Sequence, residues 1–436
     1  MHIQEFSVGN FRSFKEINTL NLMATKSVSI HPDVDKNNLF EVTSSTNVKL
    51  MRTKAIYGAN SSGKSNIIKA VTVFINIVKN SVINKNILDE IEYFRYSSHS
   101  EESPSYFQII FWLDKTRYRY GFEANRESIT AEWLYHKPGK REESLFIREN
   151  LELLEVNKTS FSECTLLLKL LDIGKGENDL FRANALLITT LSTFGFAKVS
   201  NTIVKAISSI NVINGLGDYK LISSAESHIR DEKKKAYMLN ILKFGDVGIK
   251  DIDYFSFSND DENETSNSKK KKDENFVVFS KRPKFNKDNK PQGEGYLIFS
   301  YESEGTKKLF EIAPCIYEAF KNGSPLIIDE FDARFHPLLT KEIIRLFNTV
   351  SENNPQLIFT THDTNLMDNR LFRKDQIDFV EKDSFSSSHL YSLIEFKGIR
   401  NDISFEKDYI KGKFGAIPYL GDFTKLFDLI EDAESH

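Results

Sequence analysis

The sequence predicts an α/β fold built on a mixed sheet, and three stretches predict it. In "KLMRTKAIYGANSSGKSNIIKAVTVFINIVKNSV" a short apolar strand runs into a Gly/Ser-rich loop and then a long helix. In "SPLIIDEFD" an apolar strand ends in two adjacent carboxylates, and in "QLIFTTHD" another ends in a histidine. Such short apolar runs suit strands buried on both faces of a parallel sheet.

The elements follow in order. "MHIQEFSVGNFRSFKEINTLNL" alternates apolar and polar residues (Ile3, Phe6 and Val8, then Phe11 and Phe14), which suits a hairpin of half-buried strands. The helix after the Gly/Ser loop carries Ile67, Ala70, Val71, Phe74, Ile75 and Val78 at helical spacing. Strands are expected over 107–113, 117–123 and 128–136; with the hairpin they make an antiparallel β-lobe. From about 161 to 242 the periodicity is helical, so residues 151–295 read as a helical insertion between N-terminal (1–150) and C-terminal (296–436) lobes. No heptad pattern persists long enough for a coiled-coil arm. Within the insertion, residues 258–275 are charged, poor in apolar residues and expected to form a mobile solvated loop, although Lys269–Lys272 leaves a nucleic-acid contact open. A helix is expected over 304–321, with Pro314 kinking or splitting it. Pro337 suits the first turn of the next helix.

Composition narrows the class without naming it. With 436 residues there is room for two or three domains, or for one core with a large insertion. A net charge of −4 gives no global pull toward nucleic acid, so any such surface must be local. The two cysteines, Cys164 and Cys315, form no CxxC or metal spacing, which suits a reducing compartment. No window is apolar for long enough to span a membrane, and the opening lacks the apolar run of a secretion signal. The expectation is a cytoplasmic protein with no membrane partner.

"GANSSGKS" matches G-x-x-x-x-G-K-[ST] between a strand and a helix. Gly58 and Gly63 let the backbone wrap tightly, so that the N–H groups of Asn60, Ser61 and Ser62 and the helix N-terminus face phosphate oxygens. Lys64 adds a charge at the β/γ-phosphates, and Ser65 offers a hydroxyl to Mg²⁺. Asp329 would hold the same Mg²⁺, and Glu330 would act on an attacking water as general base. Each alone reads as an ordinary strand-end acid; beside the phosphate loop the catalytic reading prevails. His362, at the end of the next strand, reads alone as a structural histidine, but 33 residues after Asp329 it stands close to where a γ-phosphate-sensing histidine belongs in one NTPase class. Upstream, "SYESEGTKKL" places Ser303, Gly305 and Thr306 at a helix N-terminus. Ser303 reads as an N-cap, or as part of an anion site facing the γ-phosphate bound by a second copy, and the two are compatible. Gly305 costs helix stability, about 0.5–1 kcal/mol against alanine, which a mere cap does not need. Asp332 then falls in a loop crossing the dimer interface. Together these motifs predict an ABC-type P-loop ATPase head.

"NFRSF", "IYGANSSGKSNIIKA", "SEGTKKL", "LIIDEFDARFHPLLT" and "LIFTTHDTNL" resemble the RecF/SMC-like branch of ABC-type ATPases, and within it the RloA and AbiL-type ATPases of phage-defence and restriction-linked loci. "TRYRYGFEANRESITAEWLYH" and "FEKDYIKGKFGAIPYL" extend the resemblance over most of the chain. It implies ATP with Mg²⁺, a head-to-head homodimer or a higher assembly, and a companion effector from the same locus. By the same carry-over Arg12 approaches the phosphates, although packing or a surface ion pair explains it equally well. "SEGT" departs from the signature of transporters, and Gln108 lies within a strand, so no Q-loop glutamine is assigned. The stretch after His362 is too short for a Toprim nuclease. The pairs Asp33–Asp35 and Asp251–Asp253 precede the signature and are expected in solvated turns, so no nuclease activity is expected of this chain alone. Alternatives are a DNA-repair or chromosome-maintenance ATPase that clamps nucleic acid, and a nucleotide-dependent scaffold, against which Glu330 argues.

Overall fold

The computed structural model describes residues 1–43, 47–165, 169, 182–215, 219–245, 248–257, 275–399 and 403–418. Nearly all of the charged loop expected at 258–275 lies outside the described residues.

Two sheets enclose one helix. The core sheet has six strands in the order Asn211–Asn214, Leu326–Asp329, Leu357–Thr360, Thr53–Tyr57, Ile377–Lys382 and Ser388–Ser392. The first five are parallel and the last is antiparallel. A seven-stranded antiparallel sheet forms the lobe, in the order Glu152–Val156, Glu143–Glu149, Ile129–Lys137, Thr116–Ala124, Ser105–Leu113, His2–Gly9 and Asn18–Asn21. This is the mixed-sheet α/β head with an antiparallel lobe that the sequence predicts.

Helix Lys64–Asn80 fills the space between the sheets. Its Phe74 stacks on Phe122 of the lobe at 5.6 Å and meets Phe6 edge-on at 5.7 Å. On the core side it shares a cluster with Ile56, Ile327 and Ile358. The alternate residues Ala55, Leu326, Ile328, Leu357 and Phe359 face a second cluster containing helices Glu304–Asn322 and Pro337–Phe347. Both faces of the parallel strands are therefore buried, which is why "LIID" and "LIFT" are uninterrupted apolar runs.

Residues 151–295 contain the expected helices, including Lys198–Ser208 and Glu232–Phe244, but also strands. Asn211–Asn214 joins the core sheet, and Asp251–Phe257, Asn275–Phe285 and Pro291–Ile298 form a separate antiparallel sheet. A four-residue strand is too short to interrupt a helical pattern in sequence. Helix Glu304–Asn322 is not split at Pro314 and ends at Gly323, whose φ of 66° suits a glycine.

Neither Asp pair lies in a solvated turn. Asp35, on helix Pro32–Asn38, pairs with Arg373. Asp251 and Asp253, on a strand, share Lys235 and Lys281. Asp35, Asp251 and Asp253 are engaged in ion pairs, which sequence spacing does not reveal, while Asp33 is exposed in the first turn of its helix.

A buried ion pair fastens helix Leu187–Ser192 to the lobe. The side chains of Arg148 and Glu132 are fully buried, 3.2 Å apart. Glu132 also accepts from the N–H groups of Leu187 (2.6 Å) and Ile188 (3.1 Å) and from the Tyr120 hydroxyl (3.0 Å). Removing the cation alone strands a buried carboxylate, so Arg148→Met is expected to cost about 3–5 kcal/mol. A matching fall in the urea midpoint checks this; an unchanged midpoint refutes it.

Candidate nucleotide site

The loop after Thr53–Tyr57 is shaped by its two glycines. A Cβ on Gly58 would press on the Val380 carbonyl and stand 2.6 Å from the Ser62 hydroxyl. Gly63 has φ 114°, and a Cβ there would meet Ser388 and, at 2.7 Å, the Ser13 hydroxyl. These contacts draw the helix start against the N-terminal turn and the last core hairpin: Ser388 N–H donates to Ser13 O at 2.7 Å, and its hydroxyl to Ser62 O at 2.5 Å. Lys64 folds back, its Nζ donating to the carbonyls of Gly58 (2.8 Å) and Ala59 (3.0 Å). Burial lowers its ammonium to about 8, against the pull of Asp329, Glu330 and Asp332.

The carboxylates emerge at the C-terminal end of Leu326–Asp329, where ligands sit in open α/β sheets. Strand Leu357–Thr360 lies between this strand and the phosphate-loop strand. Thr360 exploits that position: its hydroxyl donates to Asp329 Oδ1 at 2.5 Å and accepts from Glu330 N–H at 2.7 Å. Glu330 has φ 51°, a conformation that costs a non-glycine residue about 1–3 kcal/mol and persists only where its surroundings impose it. Gly215 N–H helps impose it by donating to Asp329 O at 2.7 Å, an approach that a Cβ on Gly215 would block. Asp332 accepts from His362 N–H at 3.3 Å. Burial first, then Lys64, hold the His362 imidazole below its usual range, so it is neutral at pH 7.

Asn60 through Asn66 line an open cleft of about 550 Å³ together with Glu330, His362 and Lys382. The structure thus brings the phosphate loop, the candidate base and the candidate sensor histidine to one cavity. Arg12 lies beside it. Its φ is 51°, and its guanidinium bonds Asn66 Oδ1 at 3.1 Å and pairs with Glu92 at 3.0 Å.

Residues 55–174 and 207–368 match the protein family described as "AAA domain, putative AbiEii toxin, Type IV TA system", which covers well over half of the sequence. The chain belongs to this AAA family. No curated protein matches it. Among solved structures this AAA chain is similar to "SMC head domain from Thermotoga maritima", at 14% identity over 90% of this chain and 99% of that one, with a TM-score of 0.39. It is similar also to a structure titled "Crystal structure of the SmcHead bound to the C-winged helix domain of ScpA", at 14% identity, 93% and 99% coverage and a TM-score of 0.41. A third is an Smc head with an extended coiled coil, bound to a ScpA C-terminal domain derived from Pyrococcus furiosus, at 15% identity, 94% and 98% coverage and a TM-score of 0.36.

The expected signature of this AAA chain sits elsewhere. Ser303 caps helix Glu304–Asn322, accepting from Thr306 N–H at 3.2 Å, and the two hydroxyls are 2.8 Å apart. Thr306 is buried in this cap, while Ser303 is exposed. Neither Ser303 nor Gly305 is among the residues lining the cleft. Gly305 instead abuts the 330–336 turn: a Cβ there would stand 3.1 Å from Arg334 O, and Glu304 pairs with Arg334 at 3.0 Å. Its missing side chain has a use within one chain, separate from any partner.

Sequence reasoning missed Lys382, Thr360, Ser388 and Gly215. The paired threonines of "IFTTHD" are a usable signal for Thr360, since a strand-end hydroxyl beside an acidic strand end can bridge the two. Nothing in "FVEKDSF" distinguishes Lys382. Among the described residues, no helix is long and apolar enough to cross a membrane, and no group of three or more His, Cys, Asp or Glu forms a metal cluster.

Proposed function

We propose that the chain binds ATP with Mg²⁺ and hydrolyses it as a head-to-head homodimer, each cleft being completed by Ser303 and Gly305 of a second copy. The observation that carries this reading is the convergence of Lys64, Glu330 and His362 on one open cleft, while the outward-facing Ser303 lies outside it. The donor set fits the nucleotide and its metal. Two glycines clear a backbone cradle, the buried Ser62 hydroxyl has no hydrogen-bond partner among the described residues, and Ser65 and Asp329 supply the hard oxygens Mg²⁺ takes beside phosphate. The metal ion, when bound, neutralises charge developing on the phosphates. Lys64 leaves its two carbonyls to pair with phosphate, Glu330 takes a proton from the attacking water, and neutral His362 bonds the γ-phosphate. Arg12 approaches from the helix side and Asp332 faces the dimer interface. Residues 1–150 and 296–436 form the two lobes of the head, and 151–295 an insertion that lends it one core strand.

The family's description names a toxin and a type IV toxin–antitoxin system, which favours a defence-type locus in which this ATPase controls a separate protein, as RloA and AbiL-type resemblance also suggests. Co-purification of the neighbouring gene's product in an ATP-dependent manner supports it. A steep salt-dependent affinity for duplex DNA moves the reading to a nucleic-acid clamp instead.

Ser303→Arg tests the shared site. The expected result is ATP binding near wild type with turnover lost, because the substitution acts on the partner's cleft. Normal turnover returns Ser303 to a helix cap and nothing more.

A further inference from the structure

Lys308 is 2% exposed, yet it is a lysine on the buried side of helix Glu304–Asn322. No carboxylate stands within ion-pair distance among the described residues. Its Nζ donates to the carbonyl of Phe331 at 2.9 Å and to that of Ala333, approaches Glu330 O at 3.5 Å, and lies 4.4 Å from the centre of the Phe335 ring. Burial lowers its ammonium to about 8. An unpaired buried cation is costly, and a methionine would fill the same volume without that cost. The reason for a cation lies in the turn it meets. Glu330 and Arg334 both have positive φ, 51° and 67°; the Glu330 carbonyl accepts from Ala333 N–H at 3.1 Å, and the Phe331 and Ala333 carbonyls of this irregular turn converge on Lys308, satisfied by neither helix nor sheet. One ammonium, with three donors, answers them together.

The same helix begins at Ser303, and Glu304 and Gly305 touch Arg334 from its first turn. The signature helix and the catalytic turn are therefore joined at two heights, by Gly305 and Glu304 at the mouth and by Lys308 one turn deeper. We infer that Lys308 is a positioning residue for Glu330: it holds the catalytic turn to the signature helix, so that the helix engaged by the partner's nucleotide sets where this chain's own base points. The inference rests on the ATPase reading above. It differs from a purely structural role, in which Lys308 would only satisfy buried carbonyls and its loss would weaken folding and binding alike.

The experiment compares steady-state ATP turnover and the affinity for a fluorescent ATP analogue in wild type, Lys308→Met, Lys308→Arg and Lys64→Ala. Lys308→Met is expected to lower kcat by roughly 10- to 100-fold while analogue affinity stays within about twofold, as the phosphate loop is untouched. Lys308→Arg, which keeps charge and donors, is expected to recover a large part of kcat. Should Lys308→Met fail to fold, Lys308→Gln, which keeps donors without charge, carries the same comparison. A kcat within twofold of wild type in the Met or Gln variant overturns the inference, and so does a parallel loss of kcat and analogue affinity. Turnover by wild type that Lys64→Ala removes is the control separating the two claims. Without it the ATPase reading fails and takes the inference with it; with it, an unaffected Lys308 variant refutes the inference alone.

Discussion

Lys64→Ala is expected to weaken ATP binding roughly 100-fold and to take turnover below detection. The ammonium makes charge-assisted hydrogen bonds, each contributing about 1.5–3 kcal/mol, and about 1.4 kcal/mol is a factor of ten. In the free protein those bonds go to the Gly58 and Ala59 carbonyls, so alanine also removes the group that holds the loop closed on itself. Calorimetric titration with ATP and Mg²⁺ measures the effect, and retained hydrolysis would falsify the site assignment. The pH dependence has a definite sign. Burial has lowered this lysine to about 8, so below that pH the free protein already carries the charge that phosphate prefers. Above it, binding must take up a proton. ATP affinity is therefore expected to fall as pH rises through about 8, with proton uptake visible as a buffer-dependent heat. An affinity flat across that range would mean that Lys64 does not meet the phosphates.

The second large effect is expected from Glu330→Gln, which should lower turnover by roughly 10² to 10⁴ while leaving ATP binding intact. Glutamine has nearly the same shape and tolerates the same positive φ, and the backbone N–H that Thr360 accepts is unchanged. Only the ability to take a proton is lost. With hydrolysis blocked, ATP should hold two chains together through Ser303 and Gly305, doubling the mass seen by light scattering in ATP and Mg²⁺. A variant that stays monomeric under those conditions defeats the shared-site proposal, and one that hydrolyses normally defeats the role of Glu330.

The elements of this head were legible where the signal is local. The phosphate loop is one contiguous run whose glycines are needed by the backbone it makes, so Gly58, Gly63 and Lys64 are readable without their neighbours. The Asp329 strand was readable because burial on both faces leaves no polar position until the strand ends. Lys308 was half readable. It lies four and eight residues before Ile312 and Ile316, on the stripe that faces the core, whereas Lys307 beside it pairs with Glu304 at the surface. Helical phase marks Lys308 as inward, but nothing in the helix says that the Phe331 and Ala333 carbonyls wait there. The Asp pairs failed for the complementary reason: their partners, Arg373, Lys235 and Lys281, are set by packing and not by spacing.

By itself, then, the sequence determined the chemistry on offer: a phosphate-wrapping loop, a strand-end acid pair, a strand-end histidine and a capped helix carrying Ser303. Tertiary structure alone decided which of these meet. Parallel strands bring Tyr57, Asp329, Thr360 and Lys382 to the same edge of the core sheet although Tyr57 lies far from the other three in the chain. The same packing turns Ser303 outward, seats Gly305 against Arg334 and aims Lys308 at the turn after Asp329. Local motifs are encoded by the conformational limits of neighbouring residues, whereas convergence depends on strand order and on the layers that bury both faces of the sheet, and no short window of sequence contains either.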